Sequence, residues 1–89
     1  MELIKVAIEN NVHLITLNNG KVNAISPEVI VEVNKALDDA ENAGAVVILT
    51  GKAGILSGGF DLKTMKASSD SAIALVTAGS KLARRMLAF

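Results

Sequence analysis

The sequence predicts an α/β fold, and three observations predict it: an alternating apolar stretch at the start, an amphipathic stretch behind helix-start signals, and a β-branched apolar run after it. From Leu3 to Glu9, Ile4, Val6 and Ile8 fall on one side while Lys5 and Glu9 fall on the other, the period of a half-buried strand. A second apolar run, Val12 to Leu17, follows at once. Glu9-Asn10-Asn11 between them is short and polar, and Asn tolerates positive φ, so the two runs read as a β-hairpin.

Asn18-Asn19-Gly20 ends the hairpin, and Ser26-Pro27-Glu28 opens a helix with Ser as N-cap, Pro at the first helical position and an acid in the first turn. The pattern predicts a helix from Pro27 to about Ala43, with Val29, Val33, Ala36, Leu37 and Ala40 on its buried stripe and Glu28, Glu32, Lys35, Asp38 and Asp39 largely facing water. Gly44 stands where a left-handed C-terminal cap belongs. The run Ala45 to Thr50 is apolar on both faces, which predicts a buried strand, and its approach through a helix predicts a parallel crossover. Gly51 to Gly59 is then a loop with four glycines, and Phe60 or Asp61 starts a short helical turn reaching Met65. Ser68-Ser69-Asp70 caps a last helix whose buried side reads as Ile73, Val76, Ala83 and Met86. The order strand, strand, helix, strand, helix leaves more apolar faces than there are layers to cover them. With no cap signal after Arg84-Arg85-Met86-Leu87, the chain is expected to be cut at Phe89 rather than finished.

Composition narrows the function classes. A chain of 89 residues makes one domain at most, burying roughly 60 to 65% of its unfolded surface. Only Phe60 and Phe89 are aromatic, so the interior is built from Val, Ile, Leu, Ala and Met. Nine basic and nine acidic residues cancel, leaving no long-range field for nucleic acid or anionic lipid. Trp and Tyr are absent, which removes base-stacking platforms. Without cysteine there is no disulfide, thiolate nucleophile or cysteine-bound metal, and one histidine cannot build a multi-histidine zinc site. No secretory signal or membrane span is expected, and a cytoplasmic home fits.

The informative segment is Leu56-Ser57-Gly58-Gly59-Phe60-Asp61-Leu62. Adjacent glycines before a helix start let backbone N–H groups converge where no side chain blocks them, and such a place suits negative charge. A carbonyl gaining electron density fits against the Phe60 N–H, assisted by the dipole of the following helix. On spacing alone, a plain strand-to-helix turn is the better reading.

Three features together change that reading: Lys21-Val22-Asn23-Ala24-Ile25-Ser26 before the first helix, the strand ending Ile48-Leu49-Thr50-Gly51, and Leu56 to Met65. In this order and at these separations the chain resembles the crotonase (enoyl-CoA hydratase/isomerase) superfamily, over essentially all 89 residues but only about the first third of a usual member. The family's forms are an N-A-L segment, a strand ending in T-G, and an F-x-A/S-G-x-D-L/I-x-x-M loop.

The resemblance implies a crotonase-like ββα spiral, of which residues 1–89 are an N-terminal part of an acyl-CoA-binding domain. It implies an acyl-CoA substrate of fatty acid metabolism, coenzyme A as part of that substrate rather than a prosthetic group, and a thioester oxygen polarised by two backbone N–H groups. By alignment the first donor is the N–H of Phe60, with Gly59 setting the loop geometry. Lys21 to Ile25, Val22 and Ala24 among them, match the stretch bordering the CoA adenine and pantetheine. Gly58, Asp61 and Leu62 match the opposite wall. Full-length relatives commonly form homotrimers or hexamers. The second oxyanion donor and the proton-handling carboxylates come later in the family pattern, so this chain alone is not expected to hydrate a substrate.

Other candidates take ordinary readings. His13 lies inside a strand with no Ser, Cys or carboxylate at motif spacing, which gives it a structural or surface role. Glu28 and Glu32, one turn apart, mark a solvated face. Asp61 caps the short helix or orders the loop around a thioester, and Arg84 and Arg85 read as exposed helix charges. The rivals to an acyl-CoA enzyme are a non-catalytic module that keeps the CoA groove or binds a partner, and a small α/β domain without CoA affinity.

Overall fold

The computed structural model describes residues 3–20, 23–51, 57 and 59–89. Strands β1 (Ile4–Glu9) and β2 (Val12–Leu17) form the hairpin. Helix α1 (Pro27–Asn42), strand β3 (Val46–Thr50), helix α2 (Leu62–Ala67) and helix α3 (Ser69–Ala88) follow. The hairpin closes through Asn10 at φ 54°, a left-handed conformation that Asn accepts at low cost. Register then follows: Ile4 pairs with Leu17, Val6 with Ile15 and Ile8 with His13, antiparallel. On its other edge β2 pairs in parallel with β3, His13 opposite Val47 and Ile15 opposite Leu49, giving the order β1-β2-β3.

Because side chains alternate along a strand, these pairs place Ile4, His13, Ile15, Leu17, Val47 and Leu49 on one face, and α1 packs there. Ile15 at the centre is fully buried. The helix starts where expected: the Ser26 hydroxyl accepts the Val29 N–H at 3.2 Å and Pro27 opens the first turn. Its end is a Schellman motif. Gly44 at φ 65° donates to the Glu41 carbonyl at 3.0 Å, and Ala45 donates to the Ala40 carbonyl at 2.9 Å. The expected stripe of Val29, Val33, Ala36, Leu37 and Ala40 is buried, joined by Ile30.

α3 packs on α1 and α2, away from the sheet, so α1 is the middle layer. This placement corrects the expected buried side of α3. Leu75 and Leu82 are its buried residues, whereas Ile73 is 65% exposed, Val76 and Ala83 are exposed, and Met86 is half-buried. α3 is apolar around much of its circumference, and the position of α1 decides which stripe goes in. Arg85 is likewise not a free surface charge: its guanidinium donates to the Asn34 side-chain oxygen at 3.0 Å and to Asp38 at 2.7 Å, tying α3 to α1, while Arg84 is exposed.

The strand expected to be buried is parallel but open on one side. Val46 is 58% and Ile48 50% exposed. Together with Val12 and Leu14 they lie on the outer sheet face, and no described helix packs against that face. The pattern marks a strand made for cover on both faces, and the described elements supply one cover. No described helix is long and apolar enough to cross a membrane.

The Gly44 cap makes a direct test of the α1–β3 connection. A Cβ there meets no atom within 4 Å, so Gly44→Ala adds backbone strain without a clash. We predict a loss of about 1 kcal/mol in urea unfolding, less for Gly44→Asn. An Ala variant as stable as the parent would contradict the left-handed cap.

Candidate functional site

The segment leading into α1 is pinned by two bonds that Asn19 donates. Asn23 is buried at φ 49°, and its side-chain oxygen accepts the Asn19 N–H at 2.8 Å. The Asn19 side-chain amide in turn donates to the Ala24 carbonyl at 2.7 Å. Beyond this anchor the chain runs extended through Ile25 into the Ser26 cap.

Against Ile25 lies the segment before α2. The Ile25 N–H donates to the Gly59 carbonyl at 2.7 Å, and the Asp61 N–H donates to the Ile25 carbonyl at 2.8 Å, forming a parallel bridge between Ile25 and Phe60. In such a bridge the residue between the two bonded neighbours turns its own N–H and carbonyl the other way. The Phe60 N–H accordingly donates to no acceptor among the described residues. Its neighbours are both engaged, since the Gly59 N–H donates to the Ser57 hydroxyl at 3.0 Å. That hydroxyl donates to the Asn23 carbonyl at 2.7 Å, a second tie between the two segments.

Glycine is required at 59 by conformation: φ is 103°, a region closed to L side chains, although a Cβ there would meet no atom within 4 Å. The Phe60 ring reaches α3. A Cβ built on Gly79 would stand 2.6 Å from ring atom Cε1 and 2.9 Å from Cζ. Glycine inside a helix costs about 0.8 to 1 kcal/mol relative to alanine, and at Gly79 that cost accompanies a ring contact that an added methyl would force to shift.

Asp61 is the N-cap of α2. One carboxylate oxygen accepts the Thr64 N–H at 2.9 Å and the Thr64 hydroxyl at 2.8 Å. The Thr64 hydroxyl, then its backbone N–H, and to a smaller extent the charge of Lys63, hold the Asp61 carboxyl below the usual aspartate range. An open cleft of about 530 Å³ lies alongside, lined by Asn19, Ser26, Glu28, Asp61, Lys63 and Thr64 among others.

Of the residues singled out from sequence, the structure brings Ala24, Gly59, Phe60, Asp61 and Leu62 into neighbouring segments joined at Ile25. Ala24 is half-buried, Leu62 is 68% exposed at the first turn of α2, and Lys21, Val22 and Gly58 lie outside the described residues. Asp61 takes the capping role. His13 is structural rather than surface: it is 5% exposed beneath α1, and Nδ1 has no hydrogen-bond partner among the described residues. Glu32 accepts the Leu3 N–H at 3.2 Å, while Glu28 is exposed. Sequence reasoning gave no role to Asn19, Ser57 or Gly79. A glycine in mid-helix was a usable signal for the last of these; loop-to-loop hydrogen bonds leave no spacing pattern. Among the described residues no group of three His, Asp or Glu side chains is placed to hold a metal ion.

The family model described as enoyl-CoA hydratase/isomerase matches residues 7–87, nearly the whole chain. The chain belongs to that family. A probable enoyl-CoA hydratase of Bacillus subtilis (strain 168) is 30% identical over 94 aligned positions, covering all of this chain and 36% of the relative. The crystal structure of an enoyl-CoA hydratase/isomerase family protein from Pseudomonas syringae superposes with a TM-score of 0.93 at 59% identity, covering 96% of this chain and 37% of that one. A probable enoyl-CoA hydratase from Mycobacterium tuberculosis H37Rv gives a TM-score of 0.92 at 30% identity, covering 99% of this chain and 38% of its own. The chain thus has a crotonase-superfamily fold and spans little more than a third of the length of these relatives, corresponding to an N-terminal portion of them.

The Asp61 cap carries a pH signature. A carboxyl held low in the folded state contributes stability above the ordinary aspartate pKa and loses it as pH falls through the lowered value. In a carbon-detected NMR titration the Asp61 midpoint should fall below that of an unstructured aspartate peptide, and Thr64→Val should move it upward. A midpoint at or above that of the peptide would remove the Thr64 bonds from the account.

Proposed function

We propose that this chain binds an acyl-CoA thioester and that the Phe60 N–H holds its carbonyl oxygen. One observation carries the reading: of three consecutive amides, Gly59 and Asp61 donate within the protein, while Phe60 between them has no acceptor among the described residues. A donor left over in a tightly bonded loop is preorganised, so it spends no reorganisation energy when charge develops on an acyl oxygen. Removing one oxyanion-hole donor from an acyl-transfer enzyme typically costs about 2.7 to 4 kcal/mol, which sets the scale for such a donor. Family membership supports the substrate class.

In this reading Lys21, Val22 and Ala24 border one side of the CoA groove and Gly58, Asp61 and Leu62 the other, with Lys21 near a CoA phosphate. Gly59 and Phe60 form the oxyanion-binding element through their backbone. Hydration needs a second donor and a general acid/base pair, so the 89 residues by themselves are proposed to bind without turning substrate over. A second reading, a non-catalytic module that binds a protein partner, is favoured by the open apolar face of Val12, Leu14, Val46 and Ile48.

Calorimetry with acetoacetyl-CoA tests the proposal. The parent chain should bind, Gly59→Val should weaken binding by about tenfold or more through strain at its positive φ, and Phe60→Leu, which keeps the backbone donor and loses only the ring's support, should cost less, about threefold. No heat at millimolar ligand would overturn the acyl-CoA reading, and equal losses in the two variants would point to the ring rather than the amide.

A further inference from the structure

We infer that Gly79 of α3 is the seat of the Phe60 ring and thereby a positioning residue for the Phe60 amide, an inference that rests on the acyl-oxygen reading above. Glycine at 59 is explained by positive φ, but Gly79 sits in ordinary helical backbone, where conformation does not call for it. What the position does have is the ring, whose Cε1 and Cζ stand 2.6 and 2.9 Å from where a Cβ would be. Carbon atoms in contact prefer about 3.5 to 4.0 Å, so any side chain at 79 obliges the ring of Phe60, a residue 37% exposed, to move from this seat.

The consequence for the amide follows from how Phe60 is held. Its backbone is fixed on both flanks by bonds to Ile25, through the Gly59 carbonyl and the Asp61 N–H. Those two bonds define a line, and the remaining freedom is rotation of the intervening peptides about it. Gly59 is the residue least able to resist that rotation, since it lacks a Cβ. A ring anchored on a separate element removes the freedom from the other side. Leu75, Ala78 and Leu82 on the same stripe fasten α3 to the core, so the seat is a rigid one.

The test is a double-variant cycle on the full chain with two readouts: the Gly59, Phe60 and Asp61 amide resonances in proton–nitrogen NMR spectra, and affinity for acetoacetyl-CoA by calorimetry. Gly79→Ala should shift the Phe60 amide and weaken binding about threefold, as Phe60→Leu does by removing the same contact, whereas its helix content should not fall, because alanine is the better helix former. Phe60→Leu removes Cε1 and Cζ, so Gly79→Ala added to Phe60→Leu should have almost no further effect on either readout. Non-additivity of this kind is not expected of a glycine whose role is independent of the ring. An unmoved Phe60 amide in Gly79→Ala, or additive effects in the double variant, would overturn the inference. If the parent chain shows no affinity for the thioester, the acyl-oxygen reading fails by itself, and Gly79 is then rejected as a positioning residue for that function even if the ring contact is real.

Discussion

Two backbone hydrogen bonds, from Ile25 to the Gly59 carbonyl at 2.7 Å and from Asp61 to the Ile25 carbonyl at 2.8 Å, join the residues that stand immediately before two helices. Ser26 caps α1 one residue after Ile25, and Asp61 caps α2 one residue after Phe60. Fixing Ile25 to Phe60 therefore fixes where both helices begin. Each such bond contributes only about 0.5 to 1.5 kcal/mol net, so the bridge alone does not make the geometry unique. The Ser57 hydroxyl, the Asn19–Asn23 pair and the ring contact at Gly79 each remove a remaining freedom. The Phe60 amide, without an acceptor among the described residues, is a by-product of that pairing: a parallel bridge bonds its neighbours and turns Phe60 outward.

The rest of the fold supplies the platform. α1 lies between the three-stranded sheet and α3, which is why its buried stripe is wide, extending to Ile30 as well as Val33 and Leu37. α3 gains its position from α1 through Leu75, Leu82 and the Arg85 contacts. The exposed half of the Arg85–Asp38 pair limits its contribution to a fraction of a kcal/mol, roughly, so apolar packing does most of the fastening. Among the described residues no helix covers the outer face of β2 and β3, so the described packing lies on one side of the sheet. This fits a chain that spans little more than a third of its relatives' length.

Local signals were legible because their causes are local. The hairpin, the Ser26-Pro27 start of α1, the Gly44 cap and the Asp61 and Ser68 caps each depend on residues within a few positions, and each stands where the residue types placed it. The buried side of α3 was not legible: an Ala-rich helix offers several apolar stripes, and the choice between Ile73 and Leu75 is made by a partner some 40 positions earlier in the chain, roughly. The open face of β3 was misjudged for the same kind of reason, since Val46 and Ile48 report what a strand is made for and not what covers it. In the site, Gly59, Phe60 and Asp61 were readable from the loop motif, whereas the Ser57 to Asn23 tie and the Gly79 seat join segments distant in sequence. Lys21, Val22 and Gly58 lie outside the described residues.

The central claim is that one amide in a bonded loop is kept available for an acyl oxygen. Hydrogen exchange of the consecutive Phe60 and Asp61 amides measures this directly. The Asp61 amide, bonded to Ile25, should exchange slowly, while the Phe60 amide one residue earlier exchanges much faster and becomes protected when acetoacetyl-CoA is added. A Phe60 amide as slow as that of Asp61 in the free chain, or one indifferent to the thioester, would contradict the account.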